Sequence, residues 1–289
     1  MTNPFEYPWT GDRKQWKVQT CDVPDRRVDT SEVLSSSPID WPEGLANKIL
    51  SIPGDVPVPW DGRVMLSGRP LQRVGGKTIL FTERNTYRGT SRDLRVPRPL
   101  ANHLWVEGMP SKGGAHDRHW IGVADDGSTW ELIGVRFGLV FRGGHWWRPA
   151  IGWGCLAAAR YSPEGVLKEG DAPVIKSGHQ VSSLLLNRWD PPHRLNITLT
   201  DYAAGGDSDG TADWEFPAVG DWVCLDASRV PAGLDLEQQR VADMLVKYGA
   251  IIGDRGGHNQ LSVVPGAQWA GAKVSNLHFR LSDFRRVTT

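Results

Sequence analysis

The residues best suited to catalysis lie in the segment HDRHWIGVADDGSTWELIGV at positions 116–135. Asp117 beside His119 could orient the imidazole for proton transfer, and Glu131 supplies a further carboxylate for acid–base chemistry. The same aspartate and histidine could instead satisfy polar groups where a loop enters a sheet. We favour the structural interpretation because no nucleophile motif accompanies these residues, and we keep the catalytic one as the alternative.

Two groups of residues could bind a metal ion, but neither has the spacing of a known site. His116 and His119 are three positions apart and would face opposite sides of a strand. Asp207, Asp209 and Asp213 lie in a glycine-rich segment and could supply oxygen ligands to calcium. This segment lacks the glycine at position six and the glutamate at position twelve that an EF-hand loop requires. We therefore predict no metal or other cofactor, with Ca²⁺ as the alternative.

Aromatic residues are the second candidate for a functional role, since the chain contains 14 tryptophans and only 5 tyrosines. Most tryptophans of a β-rich protein pack between strands. Trp146, Trp147 and Trp153 cluster in the segment HWWRPAIGW and are our candidates for binding a ligand such as a sugar ring.

Arginines concentrate in the segment ERNTYRGTSRDLRVPRP at positions 83–99 and could bind phosphates or an acidic glycan. Glu83 and Asp93 interrupt the segment, which favours a solvated loop. The 33 basic and 33 acidic residues of the whole chain cancel. We therefore predict no nucleic-acid partner.

The chain contains 33 glycines and 20 prolines, which interrupt it at short intervals and predict short strands joined by turns. Such strands must position the candidate residues. Asp126-Gly127 is a favoured turn dipeptide, so the opening segment is predicted to form a β-hairpin. The segments GRVMLSGRPLQRV and KTILFTE are predicted as two strands joined by a turn at Gly75-Gly76, and VSSLLLNRW as a further strand.

One segment, LDLEQQRVADMLVKYGAII, has the pattern of an amphipathic helix. Asp235 is placed to cap it, Gln238 completes a capping box, and Gly249 is the expected end. Residues 1–45 contain several prolines and little periodicity, which predicts an extended N-terminal arm. We expect 46–289 to form a single β-sandwich domain, jelly-roll-like, covered by this late helix.

The N-terminal residues contain no apolar run typical of a signal peptide, so we expect the chain to be made in the cytoplasm. No stretch approaches the roughly 20 apolar residues that a membrane-spanning helix needs. Its three cysteines are far apart in sequence and form no CxxC pair, which argues against a disulfide or zinc framework.

A series of motifs along the chain resembles a largely uncharacterised group of secreted, β-rich bacterial proteins. These motifs include VPWDGRVMLSGRP and RPAIGWGCLAAA. The most specific motifs are the Asp-Arg-His sequence at 117–119 and YGAIIGDRGG at 248–257. That group places a histidine and an arginine on the strand that here reads VSSLLLNRW, where Ser183 and Leu186 stand. The resemblance therefore does not imply an active site in this chain.

Without an export signal and rich in tryptophan, the chain also resembles minor tail proteins of phages that infect actinobacteria. This resemblance implies a structural component of the virion tail tip, made in the host cytoplasm and oligomeric in the particle. It also implies docking on other tail proteins and contact with a host surface glycan.

Two other functions stay open at this point. The first is a glycan-active hydrolase or lyase that uses Asp117, His119 and Glu131. The second is a tail-tip protein that binds no ligand. Convergence of the three side chains in a groove would favour the enzyme, whereas exposed tryptophan rings would favour binding.

Overall fold

The computed structural model describes residues 28–41, 44–52, 58–60, 63–65, 69–85, 89–100, 104–107, 117–187, 190–200, 217–256, 258–264 and 274–288. Most regular structure in these residues is β-strand, which confirms the mainly β prediction. Some neighbouring strands run parallel, whereas a jelly roll is antiparallel, so the jelly-roll topology is not confirmed. Among the described residues, no helix is both long and apolar enough to cross a membrane.

The strands are β1 (Ser36–Ser37), β2 (Ile49–Leu50), β3 (Val58–Trp60), β4 (Arg63–Met65), β5 (Leu71–Asn85), β6 (Thr90–Pro99), β7 (Trp120–Ala124), β8 (Thr129–Ile133), β9 (Arg136–Phe141), β10 (Pro149–Cys155), β11 (Ala157–Tyr161), β12 (Leu195–Leu199), β13 (Trp222–Leu225), β14 (Ala250–Arg255), β15 (Gln260–Leu261), β16 (Phe279–Arg280) and β17 (Phe284–Val287). The α-helix of the described residues is α1 (Leu236–Lys247). Short 3₁₀ helices span Arg142–Gly144, Val181–Leu184, Ala227–Arg229, Val274–Asn276 and Leu281–Asp283.

Contacts among the described residues group them into two compact units. The first unit contains those within 58–174 together with Val264, and the second contains those within 28–52, 175–263 and 274–288. Both units draw on the range 46–289 that the sequence predicts as one domain.

The first unit is built on a sheet of seven strands in the order β11-β8-β7-β5-β10-β9, with β6 also pairing with β5. Its β7–β8 hairpin, turning through Asp125 to Gly127, is the hairpin predicted from sequence. The predicted turn at Gly75-Gly76 is wrong, because β5 runs through it as one strand of 15 residues.

The strand continues because each half of β5 has its own parallel partner. Its first half pairs with β7, and its second half pairs with β10. Between the halves the register against β6 shifts from Val74 to Thr78, and Gly76 adopts the left-handed φ of +63° that this irregularity requires.

Apolar side chains from one face of this sheet form the core of the first unit. Trp120, the largest fully buried side chain of the described residues, lies with Phe81 and Leu132 in this cluster. The indole N–H of Trp120 donates to the Gln72 Oε1 atom at 2.7 Å, so its one polar atom is satisfied.

A chain of buried ion pairs also joins the strands of this unit. Arg92 on β6 binds both Glu83 on β5 and Asp171, and Arg160 on β11 binds Asp171 from the other side. The side chains of Glu83 and Asp171 are 2% and 0% exposed, so their buried negative charges are stabilised by the positive charges of these arginines.

The second unit contains a six-stranded sheet in the order β1-β17-β13-β14-β12-β15. Its edge strand β1 lies within the predicted arm, and there Asp29 also binds the Arg194 guanidinium at 3.1 Å. Residues 28–41 of the predicted arm thus contribute to this unit.

The predicted amphipathic helix is confirmed as α1. The Asp235 carboxylate accepts the Gln238 backbone N–H at 2.8 Å, and the Gln238 side chain accepts the Asp235 backbone N–H at 3.1 Å. These reciprocal bonds form the predicted capping box. Val241, Met244 and Leu245 form the buried side of the helix.

The prediction of a strand at VSSLLLNRW is wrong. Residues Val181–Leu184 form a 3₁₀ helix, in which the Ser183 hydroxyl donates to the Gln180 carbonyl at 2.8 Å. Such local side-chain bonds compete with the ladder of a sheet. In the described remainder of this segment, 185–187, an isolated bridge between Leu186 and Val263 follows.

Candidate functional site

The three candidate catalytic residues lie in different environments. His119 and Glu131 are 2% and 0% exposed, whereas Asp117 is exposed. The carboxylate that binds the His119 ring belongs to Glu107, whose Oε2 atom lies 2.7 Å from Nδ1. The same oxygen accepts the His119 backbone N–H at 3.1 Å. The side chains of His119 and Glu107 are 3% and 18% exposed, so the described residues leave little of this pair open to a polymeric substrate.

Electrostatics keep the partly buried Glu107 carboxylate ionised. Burial alone would raise its pKa, but the charge and hydrogen bonds of His119 and the charge of Arg69 together lower the pKa below its ordinary value. The Glu107 backbone N–H also donates to the His119 carbonyl at 3.0 Å. The pair therefore fastens the segment 104–107 to the start of β7.

We expect His119→Ala to lower the free energy of unfolding by about 1–3 kcal/mol, because it leaves the Glu107 carboxylate without its ring partner. Thermal and urea denaturation measure the effect. The matched control is His145→Ala, since His145 is exposed in the turn between β9 and β10. Glycan cleavage by the wild type that disappears in a stably folded His119→Ala variant would contradict the structural role.

A concave surface of the first unit lies elsewhere, in a groove of about 640 Å³. This volume lies in the range of about 300–1,000 Å³ that is usual for small-molecule sites. One wall comes from the end of β5 and the start of β6, and the other from β9 and the turn that follows it. The lining residues are Thr82, Arg84, Asn85, Gly89, Thr90, Ser91, Arg136, Leu139, Val140, Phe141, Gly144 and Trp146.

The turn between β9 and β10 is anchored on the neighbouring strands. The Arg142 guanidinium donates to the Thr82 hydroxyl at 3.0 Å, and the Gly143 backbone N–H donates to the Asp93 carboxylate at 3.0 Å. Gly144 has a φ of +79°, and a Cβ there would run into the Ser91 side chain. This close approach fixes the turn against β6 and places Trp146 at the rim of the groove.

The structure separates the three candidate tryptophans. Trp146 and Trp147 are 77% and 61% exposed, and their rings meet edge to face at a centroid distance of 5.8 Å. Trp147 also stacks on His145 at 4.6 Å, which limits the freedom of the pair. Trp153 instead stacks on Phe81 at 5.8 Å and packs against the core.

Arg84 and Arg136 carry the charge of the groove. Thr82 pairs with Gly154, and Gly154 pairs with Arg136, so Thr82, Arg84 and Arg136 share one face of the sheet. Both arginines are exposed, and neither has an ion-pair partner within the part of the chain that the structure describes. No acidic residue is among those that line the groove.

Sequence reasoning identified part of this groove. The arginine-rich segment at 83–99 contains Arg84, and Trp146 was a candidate ligand-binding residue. Arg136 gave no local signal, because it lies in the segment STWELIGVRF, predicted as a strand, without any neighbouring motif. Only the pairing of β9 with β10 and of β10 with β5 brings it near Thr82.

Within the described ranges, no group of three or more His, Cys, Asp or Glu side chains is arranged to hold a metal ion. The calcium alternative at Asp207, Asp209 and Asp213 and the residue His116 lie outside these ranges. Searches of protein-family models, of curated proteins and of solved structures find no match to the chain.

Proposed function

We propose that this chain is a minor tail protein of an actinobacterial phage, and that it contacts a host surface glycan through the groove beside Trp146. Its position in the tail and its docking on other tail proteins are proposed from the motif resemblance. The observation that carries glycan contact is an indole ring, 77% exposed, at the rim of a groove lined by hydroxyl and amide groups.

This combination suits a sugar. The C–H face of a sugar ring packs on an indole, while side chains such as Thr90 and Ser91 can bond its hydroxyl groups. Leu139 and Ile151, a cross-strand pair at 58% exposure each, extend an apolar surface along the same hairpin. Such a surface supports docking on a neighbouring tail protein.

The enzyme alternative is less well supported. None of Asp117, His119 and Glu131 lines the groove, and the last two are buried. A general acid or base must come within hydrogen-bond reach of the proton that it transfers. Binding without cleavage is therefore the function that the geometry supports best.

Phage particles that carry Trp146→Ala test this function. We expect mass spectrometry to find the protein in purified wild-type and variant particles alike, since the exposed ring contributes little to the fold. Adsorption to host cells should slow by about tenfold, the effect of losing about 1.4 kcal/mol of binding free energy with this aromatic contact.

Val166→Ala is the control, because Val166 is 65% exposed in the same unit and does not line the groove. Absence of the protein from wild-type particles would contradict the tail assignment. Unchanged adsorption of the Trp146→Ala particles would contradict glycan contact at the groove.

A further inference from the structure

We propose that the groove selects a negatively charged saccharide, whose carboxylate or phosphate group is bound by Arg84 and Arg136. This inference rests on the proposed glycan contact and names the class of glycan. It assigns a role to the two guanidinium groups, which the stacking of a sugar on Trp146 does not require.

The charge of the groove is not neutralised by its surroundings. Asp93 is the acidic residue on the neighbouring strand β6, and it keeps its charge, since its Oδ1 atom accepts bonds from two neutral donors, the Thr82 hydroxyl and the Gly143 backbone N–H. The Arg142 guanidinium, which donates to the same Thr82 hydroxyl, offsets that charge and leaves Arg84 and Arg136 in excess. Glu83 is buried on the opposite face of β5 and binds Arg92. The chain as a whole has zero net charge, so this local excess of positive charge is a property of the groove.

Arg92, in the same arginine-rich segment 83–99 as Arg84, has a structural role. It lies two positions before Leu94 on β6 and binds two buried carboxylates, Glu83 and Asp171. Arg84 and Arg136 have no such partners among the described residues and remain exposed to solvent. Exposed, unpaired guanidinium groups offer paired N–H donors that match the two oxygens of a carboxylate or phosphate.

The sheet leaves space beside Arg136. Gly154 lies between Thr82 and Arg136 in the pairing order and adds no side chain to this face. The point that a Cβ of Gly154 would occupy lies 3.1 Å from Val140 Cγ1, so Val140 covers part of this position. At Gly138, on the same face of β9 as Arg136, a Cβ would meet no atom within 4 Å. An acidic ring substituent can therefore approach the sheet at Gly138.

A single strand of nucleic acid is a poorer fit than an acidic sugar. Binding of that kind uses several aromatic platforms along a basic track. Here two exposed aromatic residues, Trp146 and Phe141, line the groove, and only two of the lining residues are basic. One or two sugar rings with a charged substituent match this short, mixed surface.

Isothermal titration calorimetry of the full chain with matched oligosaccharides tests the proposal. The probes are a glucuronic-acid oligosaccharide, its neutral glucose counterpart and a glucose oligosaccharide that carries phosphate. We expect at least one acidic probe to bind about tenfold more tightly than the neutral one, and its affinity to fall with added salt. The two acidic probes distinguish carboxylate from phosphate recognition.

Arg84→Gln and Arg136→Gln should each weaken binding of the acidic probe by about tenfold and leave binding of the neutral probe unchanged. Arg84→Lys should restore part of the affinity, because lysine keeps the charge but loses the planar fork. Arg95→Gln is the matched control, since Arg95 is exposed on β6 but does not line the groove.

The outcomes separate this inference from the function on which it rests. Equal binding of neutral and acidic probes, or loss of affinity in Arg95→Gln as large as in Arg84→Gln, would overturn charge selection and leave glycan contact standing. Failure of the folded wild type to bind any saccharide would overturn both. Tighter binding of a single-stranded oligonucleotide than of any saccharide would also overturn the proposal.

Discussion

Replacing Asp171 with asparagine is expected to lower the free energy of unfolding by about 3–5 kcal/mol, the usual cost of breaking a buried ion pair. The Asp171 carboxylate accepts bonds from Arg160 Nε at 2.7 Å and Nη2 at 2.8 Å, and it lies 2.8 Å from Arg92 Nη2. An asparagine keeps one acceptor oxygen and no charge. It would leave the Arg160 guanidinium without its counter-ion and the Arg92 guanidinium with Glu83 as its remaining partner.

Urea denaturation measures this loss, and Asp125→Asn is the control. Asp125 binds Arg73 at 2.7 Å, but these side chains are 66% and 41% exposed, so the exposed pair contributes about 0–1 kcal/mol. If Asp171→Asn costs no more than Asp125→Asn, the buried chain of charges does not stabilise the first unit.

The ion pairs of Asp171 with Arg160 and Arg92 also predict how the stability of the protein changes at acid pH. Burial alone would raise the pKa of Asp171, but its bonds and charge interactions with Arg160 and Arg92 lower the pKa below the ordinary 3.8. The stabilisation is therefore complete above the pKa of the unfolded chain, and it is lost as pH falls through the lower pKa of the folded protein. Wild-type stability should drop below about pH 4, and Asp171→Asn should show a shallower drop.

Local sequence signals were sufficient for some elements of the fold. The capping box at Asp235 and Gln238 predicts the start of α1, and the Asp126-Gly127 dipeptide predicts the β7–β8 hairpin. In both cases the deciding interactions lie within a few residues along the chain. Such interactions can be recognised from residue types and spacing alone.

Elements that depend on distant partners could not be predicted in this way. Gly75-Gly76 has the composition of a turn, yet β5 continues through it because β7 and β10 pair with its two halves. The composition of the arginine-rich segment at 83–99 predicts a solvated loop. Arg92 instead pairs with Asp171, a residue far along the chain that shows no local sign of this contact.

The groove was predictable only in part for the same reason. Exposed Trp146 carries a recognisable residue type, but its position at a cavity depends on the contact between Gly144 and Ser91. His119 illustrates the opposite case. Its neighbour Asp117 suggested an acid–base pair, whereas the partner that binds its ring is Glu107.

The second large effect is expected at the end of α1, where Gly249→Ala should destabilise the second unit by about 2–5 kcal/mol. Gly249 has a φ of +69°, a left-handed conformation that costs an L-residue about 1–2 kcal/mol. Its added Cβ would also run into the Val223 carbonyl oxygen and lie 2.5 Å from Trp222 Nε1. That indole N–H donates to the Tyr248 carbonyl at 3.0 Å, so it cannot move without losing its bond.

Gly233→Ala separates the conformational cost of the left-handed φ from the steric clash of the added Cβ. Gly233 has a similar φ of +75°, but a Cβ there would meet nothing within 4 Å, so only the conformational cost of about 1–2 kcal/mol should appear. Urea denaturation of both variants measures the difference, which reports the clash at Gly249 alone. Equal losses in the two variants would show that β13 shifts to admit the methyl group. The glycine would then be required by the left-handed end of the helix, which its sequence position predicts, and not by the approach of Val223 and Trp222.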